Sequence, residues 1–246
     1  MAYCLCNTLH CTQCGVLFLD LRFSDLEMQR YYQGYLGKDY EDLREHYEPG
    51  FRAINQKLTV QHEFLHLAKS FILKIANPSK ILDWGGGDGT NTPIKGDERQ
   101  VDVYDIGEGA ATYGTSRVTK DQALRSNYEL IVCRHVLEHI PYPSELLAEV
   151  YQCMQSETLL YIEVPHEAIM LSEQEIKSAD KRHWHEHINF FSIQSLMRLL
   201  TSCGFDTISI ESTPINGSNK TGTCPNIIQV IAKKQLPQHQ TNKKST

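Results

Sequence analysis

The apolar positions of this chain fall into two rhythms. Short, largely apolar runs recur at Ile81–Leu82, Tyr128–Cys133 and Leu159–Val164, and Val101–Asp105 reads as a further strand that ends in a carboxylate. Runs of that length fit strands buried on both faces of a parallel sheet. Phe205–Glu211 and Asn226–Lys233 read as two further strands, and Val16–Leu19 as a short one near the start. Between them the spacing is helical. Leu58, Phe64, Leu65, Leu67, Phe71, Ile72 and Ile75 form much of one apolar side over Phe51–Ala76, and Asn77-Pro78 ends that helix. Pro143 opens a second helix. Ser192 caps a third, which Gly204 ends. Thr92–Gln100 is too short for a full helix, so the first crossover is expected to be abbreviated. Strands alternating with helices predict an α/β fold.

One turn stands out from this pattern. Ile81-Leu82-Asp83 runs into Gly85, Gly86, Gly87 and Gly89. Glycine tolerates positive φ and lets a ligand lie against the main chain. A strand, a glycine turn and then a helix is the general nucleotide site at the carboxyl edge of a parallel sheet. The dinucleotide fingerprint needs a third glycine where this chain has Thr90. Asp83 and Asp88 flank the turn, and a pyrophosphate there would meet like charge. An ammonium beside a carboxylate fits better: the amine pairs with Asp83 directly or through water, and the carboxylate meets backbone N–H groups near the helix start. S-adenosylmethionine has that end.

Asp83-x-Gly85-x-Gly87-x-Gly89 resembles the first motif of the class I S-adenosylmethionine-dependent methyltransferases. The resemblance implies a Rossmann-like α/β fold: a seven-stranded, mostly parallel sheet whose last strand is antiparallel and forms a hairpin with its predecessor. It implies that Gly85, Gly87 and Gly89 hold the cofactor. Asp105, sixteen residues past Gly89, closes the second strand. It is expected to accept hydrogen bonds from the ribose hydroxyls, with Asp102 as its competitor. Asp121 is read either as the adenine contact of the family or as a surface aspartate that caps a helix. Arg134-His135-Val136-Leu137-Glu138-His139-Ile140-Pro141 resembles the h-x-L-E-H-i segment of small-molecule methyltransferases. That places His135 beside the cofactor's sulfonium. His139 is either structural or catalytic. Glu163 and His166 are expected at the same active-site edge.

Composition narrows the partners. The chain has 246 residues, 41% hydrophobic and 22% charged, enough for one large domain and a small appendage. A net charge of −6 argues against a nucleic-acid partner held through phosphates. The absence of a bilayer-length apolar run argues against a membrane partner. With no leader pattern, a cytoplasmic location with reduced thiols is expected, so the eight cysteines need a purpose other than disulfides. Cys4, Cys6, Cys11 and Cys14 follow the pattern C-x-C-x4-C-x2-C-G. They form a candidate structural Zn²⁺ site, with His10 as a substitute ligand and free thiols as the alternative. Tyr31, Tyr32, Tyr35, Tyr40 and Tyr47 follow. They either line the mouth of the substrate site or pack a lid helix onto the core. Residues 1–50 are thus taken as a zinc-ribbon-like lid segment, 51–234 as the methyltransferase domain and 235–246 as a disordered tail.

His183, His185 and His187 alternate, a spacing that could converge on a metal. The preferred reading is different. Trp184-His185-Glu186-His187-x-x-x-Phe191-Ser192 resembles a segment of zinc-ribbon sugar C-methyltransferases, and His139 matches a second active-site histidine of that group. The resemblance implies His187 as general base, His139 as the second choice, and Glu186 beside it to orient the ring. Those sugar enzymes carry a further C-terminal domain, whereas this sequence stops at Thr246. The expectation therefore shifts from C-methylation of a nucleotide-linked keto-sugar to O-methylation of a small molecule, such as a sugar or a building block of a cell-surface polysaccharide. Two readings of other classes remain: a nicotinamide oxidoreductase, and a zinc-ribbon binding module on an inactive methyltransferase core.

Overall fold

The computed structural model describes residues 6–33, 37–47, 49–53, 63–96, 98–107, 109–170, 186–215 and 226–235. Its centre is a seven-stranded sheet. In chain order the strands are β3 (Lys80–Trp84), β4 (Gln100–Tyr104), β5 (Ser116–Arg117), β6 (Leu130–Arg134), β7 (Leu159–His166), β9 (Phe205–Pro214) and β10 (Asn226–Lys234). They lie in the order β5-β4-β3-β6-β7-β10-β9. The β3–β4, β3–β6, β4–β5 and β6–β7 pairs are parallel. Only β10 runs against its neighbours β7 and β9. This is the Rossmann-like methyltransferase sheet with its antiparallel last strand.

The apolar runs are buried for the reason the pattern gave. Ile81, Leu82, Leu130–Cys133, Leu160, Ile162 and Val164 are fully covered, because helices pack on both faces. Helices α4 (Lys120–Arg125), α5 (Pro143–Cys153) and α6 (Ile193–Ser202) follow β5, β6 and the short strand β8 (Asn189–Phe190). Leu147, Val150, Leu196 and Leu200 carry α5 and α6 into the same core as Leu82 and Ile131. Ser192 caps α6 in a reciprocal box with Ser195, and Gly204 follows the helix at φ 84°. On the other face, Ala68, Phe71 and Ile72 of α3 (Glu63–Leu73) cover Ile81, Leu130 and Tyr161. The expected Phe51–Ala76 helix is described at residues 51–53 and as α3; its middle lies outside the described residues.

The first crossover carries no helix among the described residues. After Gly89 the chain stays in turns, held by Lys95 Nζ on the carbonyls of Gly89 and Thr90. The ligand N–H groups expected at a helix start must therefore come from the glycine turn itself.

A second, three-stranded sheet joins distant segments. β1 (Thr8–His10) and β2 (Leu17–Leu19) form a hairpin, and β2 pairs with β8 (Asn189–Phe190). The hairpin turn is Cys11-Thr-Gln-Cys14-Gly15. Gly15 N–H bonds Cys11 O at 2.8 Å, and Gly15 has φ 82°. Helices α1 (Asp25–Gln33) and α2 (Lys38–Tyr47) then lie near the carboxyl edge of the main sheet. Among the described residues, no helix is long and apolar enough to cross a membrane.

Candidate active site

A cleft of about 480 Å³, open mouth included, lies over the carboxyl ends of β3, β4 and β6. Tyr32, Trp84, Gly85, Tyr104, Asp105, His135 and His139 are among its lining residues. Gly85, Gly87 and Gly89 have φ values of 79°, 61° and 82°. A Cβ on Gly85 would stand 2.6 Å from Val136 Cγ2, so the turn has no room for a side chain there. The cradle is braced by Asp105, whose carboxylate accepts from Gly87 N–H at 2.8 Å and Gly107 N–H at 2.7 Å. A carboxylate has lone pairs beyond these two bonds, and Asp105 lines the cleft. Trp84 and Tyr104 meet edge to face at 4.6 Å and supply an apolar, aromatic wall. These features fit the adenosyl part of S-adenosylmethionine.

Two predicted cofactor contacts are placed elsewhere. Asp83 is 3% exposed, accepts from Thr92 Oγ1 at 2.5 Å and does not line the cleft. Burial pushes its pKa up to about 6, against the Thr92 hydrogen bond. Asp83 closes the base of the turn. Asp121 is exposed in the first turn of α4, away from the cleft lining. The cap of α4 is Thr119, boxed with Gln122. Asp102 is also buried and accepts from Tyr128 Oη at 2.9 Å, which leaves Asp105 as the acid at the cleft.

His135 does reach the cleft, at φ 53°. Its Nδ1 lies 3.1 Å from Glu138 Oε1 and its Nε2 2.9 Å from Glu163 Oε1. Burial favours the neutral ring, but the two carboxylate hydrogen bonds outweigh it and raise the pKa to about 9. Both nitrogens donate, so His135 is a cation at neutral pH. Glu138 is held down to about 2, the His135 hydrogen bond and the nearby histidines overcoming burial. Glu163 is also held low despite burial, chiefly by Arg134, whose Nε is 2.6 Å away. Glu163 and His166 do not share a surface. They are three residues apart on β7 and so face opposite sides. His166 Nδ1 lies 3.1 Å from Ser212 Oγ.

His139 and His187, 48 positions apart, come together with ring centroids 4.7 Å apart. His139 Nδ1 lies 3.2 Å from the Glu186 carbonyl. A carbonyl only accepts, so Nδ1 carries the proton and Nε2 the lone pair. His187 Nδ1 is tied in a short contact to Glu167. Burial lowers both rings, to about 4. The partner expected for His187 was Glu186, and the structure corrects this. Glu186 lies in a turn ahead of β8, and the two neighbouring side chains diverge. Glu186 points toward the lid, where Tyr31 donates to it at 2.8 Å and Tyr40 and Arg44 make short contacts. Glu167 was missed because it lies one residue past β7, outside every motif read from the sequence. Its signal is its place one residue past the strand's carboxyl end.

The tyrosines divide. Tyr32 lines the cleft, whereas Tyr31 and Tyr40 hold Glu186. Tyr35 and the Tyr47 side chain lie outside what the structure describes. The hairpin reaches the same loop: Leu19 N–H bonds the carbonyl of Ile188, next to His187. Arg22 donates to Asn189 Oδ1 at 2.9 Å, and Asn189 Nδ2 to the carbonyls of Leu137 and Ile140. Of the cysteines, Cys4, like His183 and His185, lies outside the described residues. Cys11 and Cys14 share the hairpin turn, while Cys6 Sγ is 3.4 Å from Asp20 Oδ1. Among the described residues the cysteine sulfurs do not gather into a three-ligand group. The turn fits half of a zinc knuckle.

The sheet order, the glycine cradle with Asp105 and the charged cluster beside it define a class I S-adenosylmethionine-dependent methyltransferase. The chain belongs to the methyltransferase domain family, which matches residues 57–210. A C-methyltransferase, NovU, from Streptomyces niveus is 26% identical over 106 residues, covering 43% of this chain and 24% of NovU. The match thus spans about a quarter of that relative. Among solved structures, the 1,6-didemethyltoxoflavin-N1-methyltransferase of Burkholderia thailandensis, bound to 1,6-didemethyltoxoflavin and S-adenosylhomocysteine, superposes with a TM-score of 0.56. It is 14% identical, over 92% of this chain and 97% of that one. The magnesium protoporphyrin IX methyltransferase of Synechocystis, bound to S-adenosylhomocysteine, gives 0.53 at 16% identity, over 85% and 98%. At these identities the structures establish the fold.

Proposed function

We propose that this methyltransferase acts on a hydroxyl of a small molecule, such as a sugar or a polysaccharide building block. The observation that carries the reading is the His139–His187 pair beside the cofactor cleft, each ring tied back through Nδ1. S-adenosylmethionine supplies an electrophilic methyl group; the chain must position the acceptor and remove its proton. In this reading His187, with Glu167 behind it, takes that proton on Nε2. Its Nδ1–H then stays on the carboxylate, which stabilises the imidazolium. His139 adds a second lone pair. Glu186 supports this indirectly, since its backbone carbonyl orients His139 while α1 and α2 hold its carboxylate. Cys11 and Cys14 offer two thiolates of the hairpin turn to a structural Zn²⁺, which would brace the His187 loop through β2 and β8.

The match to NovU favours a second reading, transfer to carbon, where the same base would remove a proton next to a carbonyl. The test is calorimetric titration with S-adenosylhomocysteine, repeated on Asp105→Ala, followed by an acceptor screen with labelled methyl donor. Binding that weakens about tenfold or more in the variant is expected, given a charged hydrogen-bond acceptor. Label recovered on oxygen supports the first reading; label on carbon replaces it with the second.

A further inference from the structure

We propose that Glu138, His139 and His187 form a binding site for a single divalent metal cation at the acceptor side of the cofactor cleft. One ligand atom from each residue lies within 4.8 Å of the others. Two donors held by one cation at about 2.1 Å each stand no more than about 4.2 Å apart. Glu138 Oε1 and His139 Nε2 are already 4.0 Å apart.

Three further features separate this group from a chance cluster. First, Glu138 is 1% exposed, and its Oε2 has no hydrogen-bond partner among the described residues. A buried carboxylate oxygen without a partner is costly, and a cation would remove that cost. Second, both histidines are oriented as ligands. His139 gives its Nδ1–H to a backbone carbonyl and His187 gives its own to Glu167. Each Nε2 keeps a lone pair. A backbone carbonyl or carboxylate behind the distal nitrogen is the arrangement that fixes tautomer and ring direction in metal-bound histidine. Third, the donors come from separate segments that backbone hydrogen bonds hold together. Glu138 and His139 follow β6, and Ile188 N–H and Asn189 N–H both bond Glu138 O, which ties the His187 loop to them. Two imidazoles and one carboxylate leave open coordination positions and suit a first-row divalent ion.

This inference rests on the proposed transfer to a hydroxyl and gives His187 the role of ligand in place of base. A hydroxyl bound to the cation becomes more acidic. Its proton is lost to water, and the resulting alkoxide keeps the electron pair that attacks the methyl carbon. The carbon–sulfur bond breaks, and its pair stays on sulfur. In that state His187 holds the cation rather than a proton.

The experiment uses the full chain, stripped with a chelator, and Mn(II) alone as the probe. Mn(II) prefers nitrogen and oxygen donors, so it discriminates against the cysteine segment. Electron paramagnetic resonance should show saturable binding of one Mn(II) per chain. Glu138→Gln and His187→Ala should each weaken it tenfold or more. Glu167→Gln, which touches His187 from behind, should weaken it by roughly tenfold. S-adenosylhomocysteine binding in each variant reports that the fold is kept. Should Glu138→Gln fail to fold, the other two variants carry the test. No saturable Mn(II) binding, or binding unchanged in the folded variants, overturns the inference. Methyl transfer to hydroxyl acceptors by protein that binds no Mn(II) leaves the proposed function standing and removes the cation. Mn(II) binding lost in the variants, without turnover on any hydroxyl acceptor, keeps the site and removes that function.

Discussion

The two halves of the cleft are built by opposite means. The cofactor half is local: one strand end, a glycine turn and the next strand end supply Trp84, Gly85 and Asp105 within 22 residues of sequence. Backbone conformation makes it, and side chains contribute mainly by being absent. The proposed acceptor side, which adjoins the cleft at His139, is long-range. Tyr31, Arg44, Glu138, His139, Glu167 and His187 come from the lid, from the ends of β6 and β7 and from the loop before β8. A site made from backbone tolerates change around it but not within it. One assembled from six separated side chains depends on each bracing contact. Substitutions should therefore separate cleanly into those that affect cofactor affinity and those that affect turnover.

His187→Ala should produce the largest effect and tests that separation directly. We expect turnover to fall by about 10²–10⁴, with S-adenosylhomocysteine affinity unchanged by calorimetry. Loss of cofactor binding as well would mean that the two halves are one cooperative unit.

Asp83 should have the next largest effect, on stability rather than affinity. Its folded pKa of about 6 lies above the ordinary 3.8, because burial disfavours the charged form. A raised acid works against folding once it must ionise. Stability is therefore lost as pH climbs from about 3.8 to about 6, and the loss is constant above that. At neutral pH the cost is up to ~3 kcal/mol. Asp83→Asn keeps an acceptor for Thr92 and should remove this cost. Its melting temperature should exceed that of the parent above pH ~6 and converge with it near pH ~4. Parallel pH profiles would show that Asp83 is not the buried acid responsible.

The contrast between the halves also explains what the sequence made legible. Strands β3, β6 and β7 were readable because each holds an apolar run, whereas β5, Ser116–Arg117, left none; the seven-strand count and the antiparallel strand followed from the resemblance. Asp105 was readable because a strand end fixes its position. The meeting of His139 with His187 was legible only through the resemblance, since no spacing rule links positions 48 apart. Glu167 could not be paired with His187, because tertiary packing brings β7 and the β8 loop together. Glu186 came from the resemblance, and its carboxylate lies with Tyr31, Tyr40 and Arg44 of the lid rather than with His187. The pairing of β2 with β8 left no trace in the apolar pattern, because both strands are too short to show a period.

Gly85→Ala tests the local half. Its φ of 79° and the 2.6 Å approach to Val136 add strain of about 1–3 kcal/mol. S-adenosylhomocysteine affinity should fall by roughly tenfold to a hundredfold. Turnover at saturating cofactor should change little. A large loss of turnover would show that the turn also positions His139, through Val136 and the β6 segment.

The smallest expected effect belongs to Asp121, and it bears on how far the cofactor half extends. Asp121 is exposed in the first turn of α4, where Thr119 already makes the cap and Gln122 completes the box. Surface changes of this kind alter stability by about 0.5 kcal/mol or less, and the helix dipole accounts for what remains. Asp121→Ala should leave S-adenosylhomocysteine affinity unchanged. That result would confine cofactor recognition to β3, β4 and β6. A tenfold loss of affinity would instead extend it across β5 to the start of α4. The adenine would then reach past Tyr104 toward Asp121, and the local half of the cleft would include one long-range contact of its own.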